Sequence, residues 1–174
     1  MIALSIVVFA LAILAVVIAT RPARFRIERS LVIDAAPEAI FPLIDDLRNW
    51  TRWSPWEGLD PNLERSYSGS ASGPGASYAW KGTPKVGSGS MTIRETIPGR
   101  RISMDLEFLK PFKASNTTLF TLTPGQTGTV VTWVMEGRNG FVFKAFGLFM
   151  KMDTLVGKDF EKGLASLAKA ALPS

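Results

Sequence analysis

The spacing of hydrophobic residues predicts a long helix near the C-terminus, over residues 141–171. Apolar side chains recur there at intervals of three and four residues, the period of a helix with one apolar face. This row comprises Leu148, Met152, Leu155, Val156, Phe160, Leu164, Leu167 and Ala171. A helix of about 30 residues is about 45 Å long. It therefore needs a partner surface of similar length.

The residues before this helix alternate between apolar and polar side chains, which is the two-residue period of β-strands. Turn sequences such as Pro98-Gly99 and Pro124-Gly125 favour hairpin connections, and Pro37 begins a short helix after the first strand. We therefore expect an α+β fold in which a curved, seven-stranded antiparallel sheet wraps around the C-terminal helix. The predicted strands cover residues 25–34, 63–68, 76–80, 90–97, 102–108, 114–122 and 128–136.

The first 20 residues contain no charged side chain and are almost entirely aliphatic. At 1.5 Å per residue such a helix crosses roughly 30 Å, the thickness of the hydrocarbon core of a bilayer. Four arginines follow within nine residues, which by the positive-inside rule favours a cytoplasmic domain. We expect a transmembrane anchor at 1–20, a basic juxtamembrane linker at 21–24 and a globular domain at 25–174, with single-pass membrane localisation. The four arginines are Arg21, Arg24, Arg26 and Arg29.

Composition excludes several classes of chemistry. The chain of 174 residues has no cysteine and no histidine, which removes thiol catalysis, the Ser-His-Asp triad and the commonest zinc ligands. We therefore predict no metal and no cofactor. The net charge of +5 falls largely in the arginine cluster, so nucleic-acid binding is not favoured. Neither a phosphate-binding loop nor a calcium loop is present.

Four segments carry a resemblance to a known family. They are Trp53-Ser54-Pro55-Trp56, Lys110-Pro111-Phe112, residues 128–133 and residues 157–164. With the order of the elements, they resemble the START-like helix-grip (SRPBCC) superfamily, and more narrowly its polyketide cyclase/dehydrase and lipid-transport branch. The resemblance covers about residues 25–172. It implies an antiparallel sheet that grips the long helix and leaves an elongated apolar cavity for a hydrophobic ligand.

Nine residues are candidates for contact with such a ligand: Arg29, Trp56, Tyr78, Trp80, Glu95, Met104, Trp133, Met152 and Val156. Arg29 and Glu95 each interrupt an apolar row, and a charge is costly to bury unless it is paired. Either they pair across the cavity or meet a polar head group, or Arg29 reaches the surface and Glu95 lies past the cavity. Tyr78 and Trp80 orient a ligand or form the rim of the core.

Two glycines interrupt the predicted helix. Gly157 and Gly163 each destabilise a helix by about 1 kcal/mol relative to alanine, so something compensates. A close approach of the sheet and room for a ligand are both adequate reasons.

The function favoured by the sequence is a membrane-anchored protein that binds or transports a hydrophobic small molecule or lipid without catalysis. One alternative is a metal-free enzyme of the cyclase or dehydratase type, in which Glu95, Tyr78 or Arg29 would steer a polyketide-like substrate. A second alternative is a module that binds a partner protein. Nothing in the sequence indicates the ligand or the oligomeric state.

Overall fold

The computed structural model describes residues 2–147 and 152–172. The helices are α1 (Ile2–Thr20), α2 (Pro37–Asp45), a 3-10 helix (Leu47–Arg52), α3 (Phe141–Phe146) and α4 (Met152–Ala171). The strands are β1 (Arg24–Ile33), β2 (Glu64–Ser68), β3 (Ser77–Lys81), β4 (Ser88–Ile97), β5 (Arg101–Lys110), β6 (Ala114–Gly125) and β7 (Gly128–Arg138).

The seven strands form one antiparallel sheet in the order β1-β7-β6-β5-β4-β3-β2. Only β1 is displaced from sequence order, because it pairs with the last strand over its whole length. The buried face of α4 presents Phe160, Leu164 and Leu167 to the core, each at most 1% exposed. The sheet and the C-terminal helix therefore fit the predicted helix-grip architecture.

The predicted long helix is described as two separate segments. α3 ends at Phe146, where the N–H of Gly147 donates to the carbonyl of Phe143 at 3.0 Å. Residues 148–151, which include Leu148 of the apolar row, lie outside the described residues. α4 has 20 residues, which corresponds to about 30 Å rather than 45 Å.

The N-terminal prediction is wrong. In the part of the chain that the structure describes, no helix combines the length and apolar character needed to cross a membrane. The last turn of α1 packs onto α3, where Ile18 is buried and Lys144 Nζ donates to the carbonyl of Ala19 at 3.0 Å. The predictions of a transmembrane anchor at 1–20 and of single-pass membrane localisation are therefore both wrong. Apolar side chains from Leu4 to Val17 are nevertheless exposed.

A β-bulge in β4 changes which side chains face the core. The pairing of β4 with β5 shifts register between Ile93 and Glu95, so that Arg94 is an extra residue. Met91 and Ile93 are buried before the bulge, whereas Glu95 is exposed after it. The expected alternation of Met91, Ile93, Glu95 and Ile97 on one face therefore ends at Arg94.

Two of the tryptophans after α2 pack in the core. Trp50 Nε1 donates to the carbonyl of Ile44 at 3.0 Å, and Trp53 Nε1 donates to the carbonyl of Leu43 at 2.8 Å. Both indoles are almost fully buried. These bonds satisfy the only polar atom of each indole and fix the 3-10 helix against α2.

Candidate functional site

A cavity of about 370 Å³ lies between the sheet, the N-terminal half of α4 and the segment that follows the 3-10 helix. Its volume falls within the range typical of small-molecule sites. Alternate residues of the strands project into it, because side chains on a strand alternate between the two faces of the sheet. The apolar wall includes Trp56, Tyr78, Trp80, Met91, Leu106, Phe108, Trp133, Met135, Val156 and Phe160.

Five of the nine candidate residues lie on this wall. They come from four parts of the fold: the segment after the 3-10 helix, β3, β7 and α4. Met104 is fully buried in the core but is not part of the wall, and the side chain of Met152 lies outside the described residues. The five on the wall are Trp56, Tyr78, Trp80, Trp133 and Val156.

Arg29 lies outside the cavity and fastens α4 to β1. Its Nε donates to Glu161 at 2.8 Å, and its Nη1 donates to Asp153 at 3.1 Å. Hydrogen bonds to Asp153 and then to Glu161 raise the pKa of Arg29. Glu95 is exposed beyond the bulge, so the two charged candidates do not pair across the cavity.

An aromatic stack forms the floor of the cavity. The rings of Trp133 and Phe160 are parallel, with centroids 4.0 Å apart and an interplanar angle of 5°. Trp56 meets the edge of both rings, at 5.7 Å from Trp133 and 6.4 Å from Phe160. Such offset and edge contacts are favourable arrangements for aromatic rings.

The two helical glycines are explained by close approach. A Cβ on Gly163 would lie 2.8 Å from Cζ3 of Trp133 and 3.0 Å from Cδ of Pro55. A Cβ on Gly157 would overlap Nη2 of Arg29. At Gly163 the neighbours are the rigid rings of Trp133 and Pro55, whereas at Gly157 only the guanidinium of Arg29 would have to move.

Tyr78 places a phenol hydroxyl among the aromatic side chains of the cavity wall. Burial, followed by the nearby carboxylate of Glu57, raises its pKa to about 12. The ring stacks on Tyr67 at 5.2 Å and on Trp80 at 5.9 Å. Tyr78 is therefore a neutral phenol at physiological pH, able to donate or accept one hydrogen bond.

Several wall residues were not among the sequence candidates. Met91, Leu106 and Phe108 share the inward faces of β4 and β5 with residues that only pack the core. Lys85, Lys110 and Arg138 resemble ordinary surface cations in the sequence. The motif Lys110-Pro111-Phe112 was the one signal that could have drawn attention to this region.

No group of three or more acidic side chains within residues 2–147 and 152–172 is arranged to hold a metal ion.

Solved structures share this fold at low sequence identity. Protein CV1439 from Chromobacterium violaceum is 19% identical with a TM-score of 0.61, and the match covers 88% of this chain and all of that one. The Aha1 dimer from Colwellia psychrerythraea gives 15% identity and a TM-score of 0.60, covering 84% of this chain and 96% of the other. BexL, a di-domain ARO/CYC from the BE-7585A biosynthetic pathway, is 13% identical with a TM-score of 0.65. That match covers 91% of this chain but 53% of BexL.

The sequence itself also matches a family model. No curated protein matches the chain. The model described as polyketide cyclase / dehydrase and lipid transport matches residues 24–172, which includes the whole sheet and α4. The chain therefore belongs to the polyketide cyclase/dehydrase and lipid transport family.

Proposed function

We propose that the protein binds a hydrophobic small molecule or lipid in the cavity and carries it without covalent chemistry. The observation that supports this proposal is the aromatic and aliphatic cavity of about 370 Å³ under α4. If each small group takes the volume of one water, about 30 Å³, the cavity has room for about a dozen non-hydrogen atoms. Family membership is consistent with such a ligand.

The size of the cavity sets a limit that can be measured. Each buried methylene contributes about 0.8 kcal/mol, which is a factor of about 4 in affinity. Binding of straight-chain alcohols should therefore tighten about 4-fold per carbon and then level off at about 12 carbons, where the cavity is full. The intrinsic fluorescence of Trp56, Trp80 and Trp133 on the wall provides the signal.

A matched pair of variants locates the binding site. Leu106→Trp places extra volume inside the cavity, so the plateau should move to shorter alcohols. Leu109→Trp makes the same change on the same strand, but its side chain is 54% exposed, so the plateau should stay in place. Alcohols that fail to bind, or an affinity that keeps rising with chain length in both variants, would contradict the proposal.

A second candidate is a cyclase or dehydratase acting on a hydrophobic, polyketide-like substrate. Tyr78 favours it, because burial keeps this phenol protonated on the cavity wall, where it can donate a proton or a hydrogen bond. Tyr78→Phe removes only the hydroxyl. In the enzyme hypothesis the variant loses turnover of a polyketide-like substrate while it retains ligand affinity. Equal turnover in both proteins would exclude Tyr78 from catalysis.

A further inference from the structure

We propose that the ligand is a single-chain amphiphile with an anionic head group, and that Lys85, Lys110 and Arg138 hold this head at the mouth of the cavity. This inference rests on the proposed function, because it assumes that the apolar chain occupies the cavity. It adds the charge and the orientation of the ligand. The head group is a carboxylate or a phosphate monoester, both of which accept charge-assisted hydrogen bonds from lysine and arginine.

The register of the sheet brings the three cations to one end. β5 and β7 run in the same direction, and Lys110 and Arg138 are their last residues. Lys110 pairs with Ser88, the first residue of β4, so β4 begins at this end as well. Lys85 lies in the turn just before β4, which is closed by the Gly82 N–H donating to the carbonyl of Gly87 at 2.9 Å. All three cations are exposed and line the cavity.

The three cations at this mouth have no counter-ion in the part of the chain that the structure describes. Among residues 2–147 and 152–172, none of the three cations forms an ion pair or a side-chain hydrogen bond. The two carboxylates on the wall do have partners: Glu57 pairs with Arg65, and Asp159 Oδ1 lies 3.9 Å from Lys162 Nζ.

A further arginine adds to the imbalance. Arg24 lies directly opposite Arg138 in the pairing of β1 with β7, and like charges at such a position destabilise a sheet. A bound anion at this end would relieve that repulsion.

The rest of the wall is mainly apolar, and among the described residues its only other charged side chains are the acidic Glu57 and Asp159. A charged group buried deep in such a cavity would lose its hydration without a counter-ion. A head group at the exposed mouth keeps part of its hydration and gains the cations. The only orientation that satisfies both regions is therefore chain inward and head outward.

The test compares ligands that share one alkyl chain. Binding of dodecanoate, dodecyl phosphate and dodecanol to the full chain is measured by tryptophan fluorescence. In the triple variant Lys85→Gln, Lys110→Gln, Arg138→Gln, the anions should bind about 10-fold or more weakly, while dodecanol changes less than about 2-fold. Raising the salt concentration from about 0.05 M to about 0.5 M should weaken only the anions. The anion that loses more affinity identifies the preferred head group.

The control is a second triple variant, Arg100→Gln, Arg101→Gln, Lys169→Gln. It removes the same net charge from exposed positions that do not line the cavity, and should leave the affinity for all three ligands unchanged. Equal weakening of the anions in both triple variants, or an unchanged ratio of anion to alcohol affinity, would overturn the inference and leave the proposed function standing. If neither dodecanol nor the anions bind the unmodified chain, the proposed function itself fails.

Discussion

Gly163 in the middle of α4 lies against the aromatic floor of the cavity, and Gly163→Ala tests how rigid that floor is. The added Cβ would lie 2.8 Å from Trp133 and 3.0 Å from Pro55. Trp133 is 2% exposed and stacked on Phe160, and a proline ring has little freedom to move. Overpacking of this kind destabilises a protein by about 1–3 kcal/mol, whereas alanine gains about 1 kcal/mol of helix propensity.

Because the added Cβ meets two rigid groups at once, we expect an overpacking cost of about 2–3 kcal/mol, and the net expectation for Gly163→Ala is then a loss of about 1–2 kcal/mol in the free energy of unfolding. For a chain of this size, each kcal/mol corresponds to a decrease of about 2–4 °C in Tm, which thermal denaturation followed by circular dichroism can measure. A shift of Trp133 should also change the fluorescence of the cavity and weaken binding of dodecanol.

Gly157→Ala is the matched control, because it makes the same substitution in the same helix. Its Cβ would meet only the guanidinium of Arg29, the far end of a flexible side chain that can turn away. Turning away gives up the bonds from Arg29 to Asp153 and Glu161, and partly exposed ion pairs contribute about 0–1 kcal/mol each. The gain of about 1 kcal/mol in helix propensity offsets much of this loss, so we expect a smaller decrease in Tm than for Gly163→Ala. If Gly163→Ala is as stable as the parent, or if both variants lose the same stability, then the contact with Trp133 and Pro55 is not what requires glycine.

Two further predictions concern buried polar groups. Burial, followed by the neighbouring Asp46, raises the pKa of Asp45 above its ordinary value of 3.8, and Asp45 Oδ1 is buried without a hydrogen-bond partner among the described residues. The folded state therefore favours the protonated carboxyl, and stability is lost as the pH rises through the raised pKa. Asp45→Asn should increase Tm at neutral pH but not below pH 3.8. The control Asp34→Asn, at an exposed position, should leave Tm unchanged at both pH values. If Asp45→Asn raises Tm by the same amount at both pH values, the reasoning is contradicted. Thr129 is fully buried and its hydroxyl donates to the carbonyl of Ala35 at 2.7 Å, so Thr129→Val should lower the free energy of unfolding by about 1–3 kcal/mol in urea denaturation. Thr117→Val at an exposed position of β6 should have little effect, and similar losses in both variants would show that the bond to Ala35 contributes little.

The sequence predicts elements well where one local pattern determines them. In β5, residues 102–108 alternate without interruption, and the structure places that strand in the sheet with the same faces buried. In β4 the same rule fails after Ile93. The polar residues around the bulge are compatible with either face of the strand, so the sequence pattern does not show the register shift. A one-residue insertion reverses the orientation of every later side chain, and only the pairing with β5 reveals it.

Contacts between distant segments were the harder part to predict. The period of β1 places Arg29 in an apolar row. The structure shows that it lies opposite Trp133 in the sheet. Its partners, however, lie 124 and 132 residues further along the chain, and local periodicity cannot identify them. The same holds for Lys85, Lys110 and Arg138, since their proximity arises from strand direction and register.

The bond between Arg29 and α4 also bears on how the protein is made. β1 leaves the ribosome before its neighbour β7 and before the two carboxylates that hold Arg29, which lie 124 and 132 residues further along the chain. Until those residues emerge, the growing chain has an unpaired edge strand and an unfilled inner face. The pairing of β1 with β7 can therefore form only after β7 has been synthesised, and until then both edges of β1 present free backbone N–H and C=O groups.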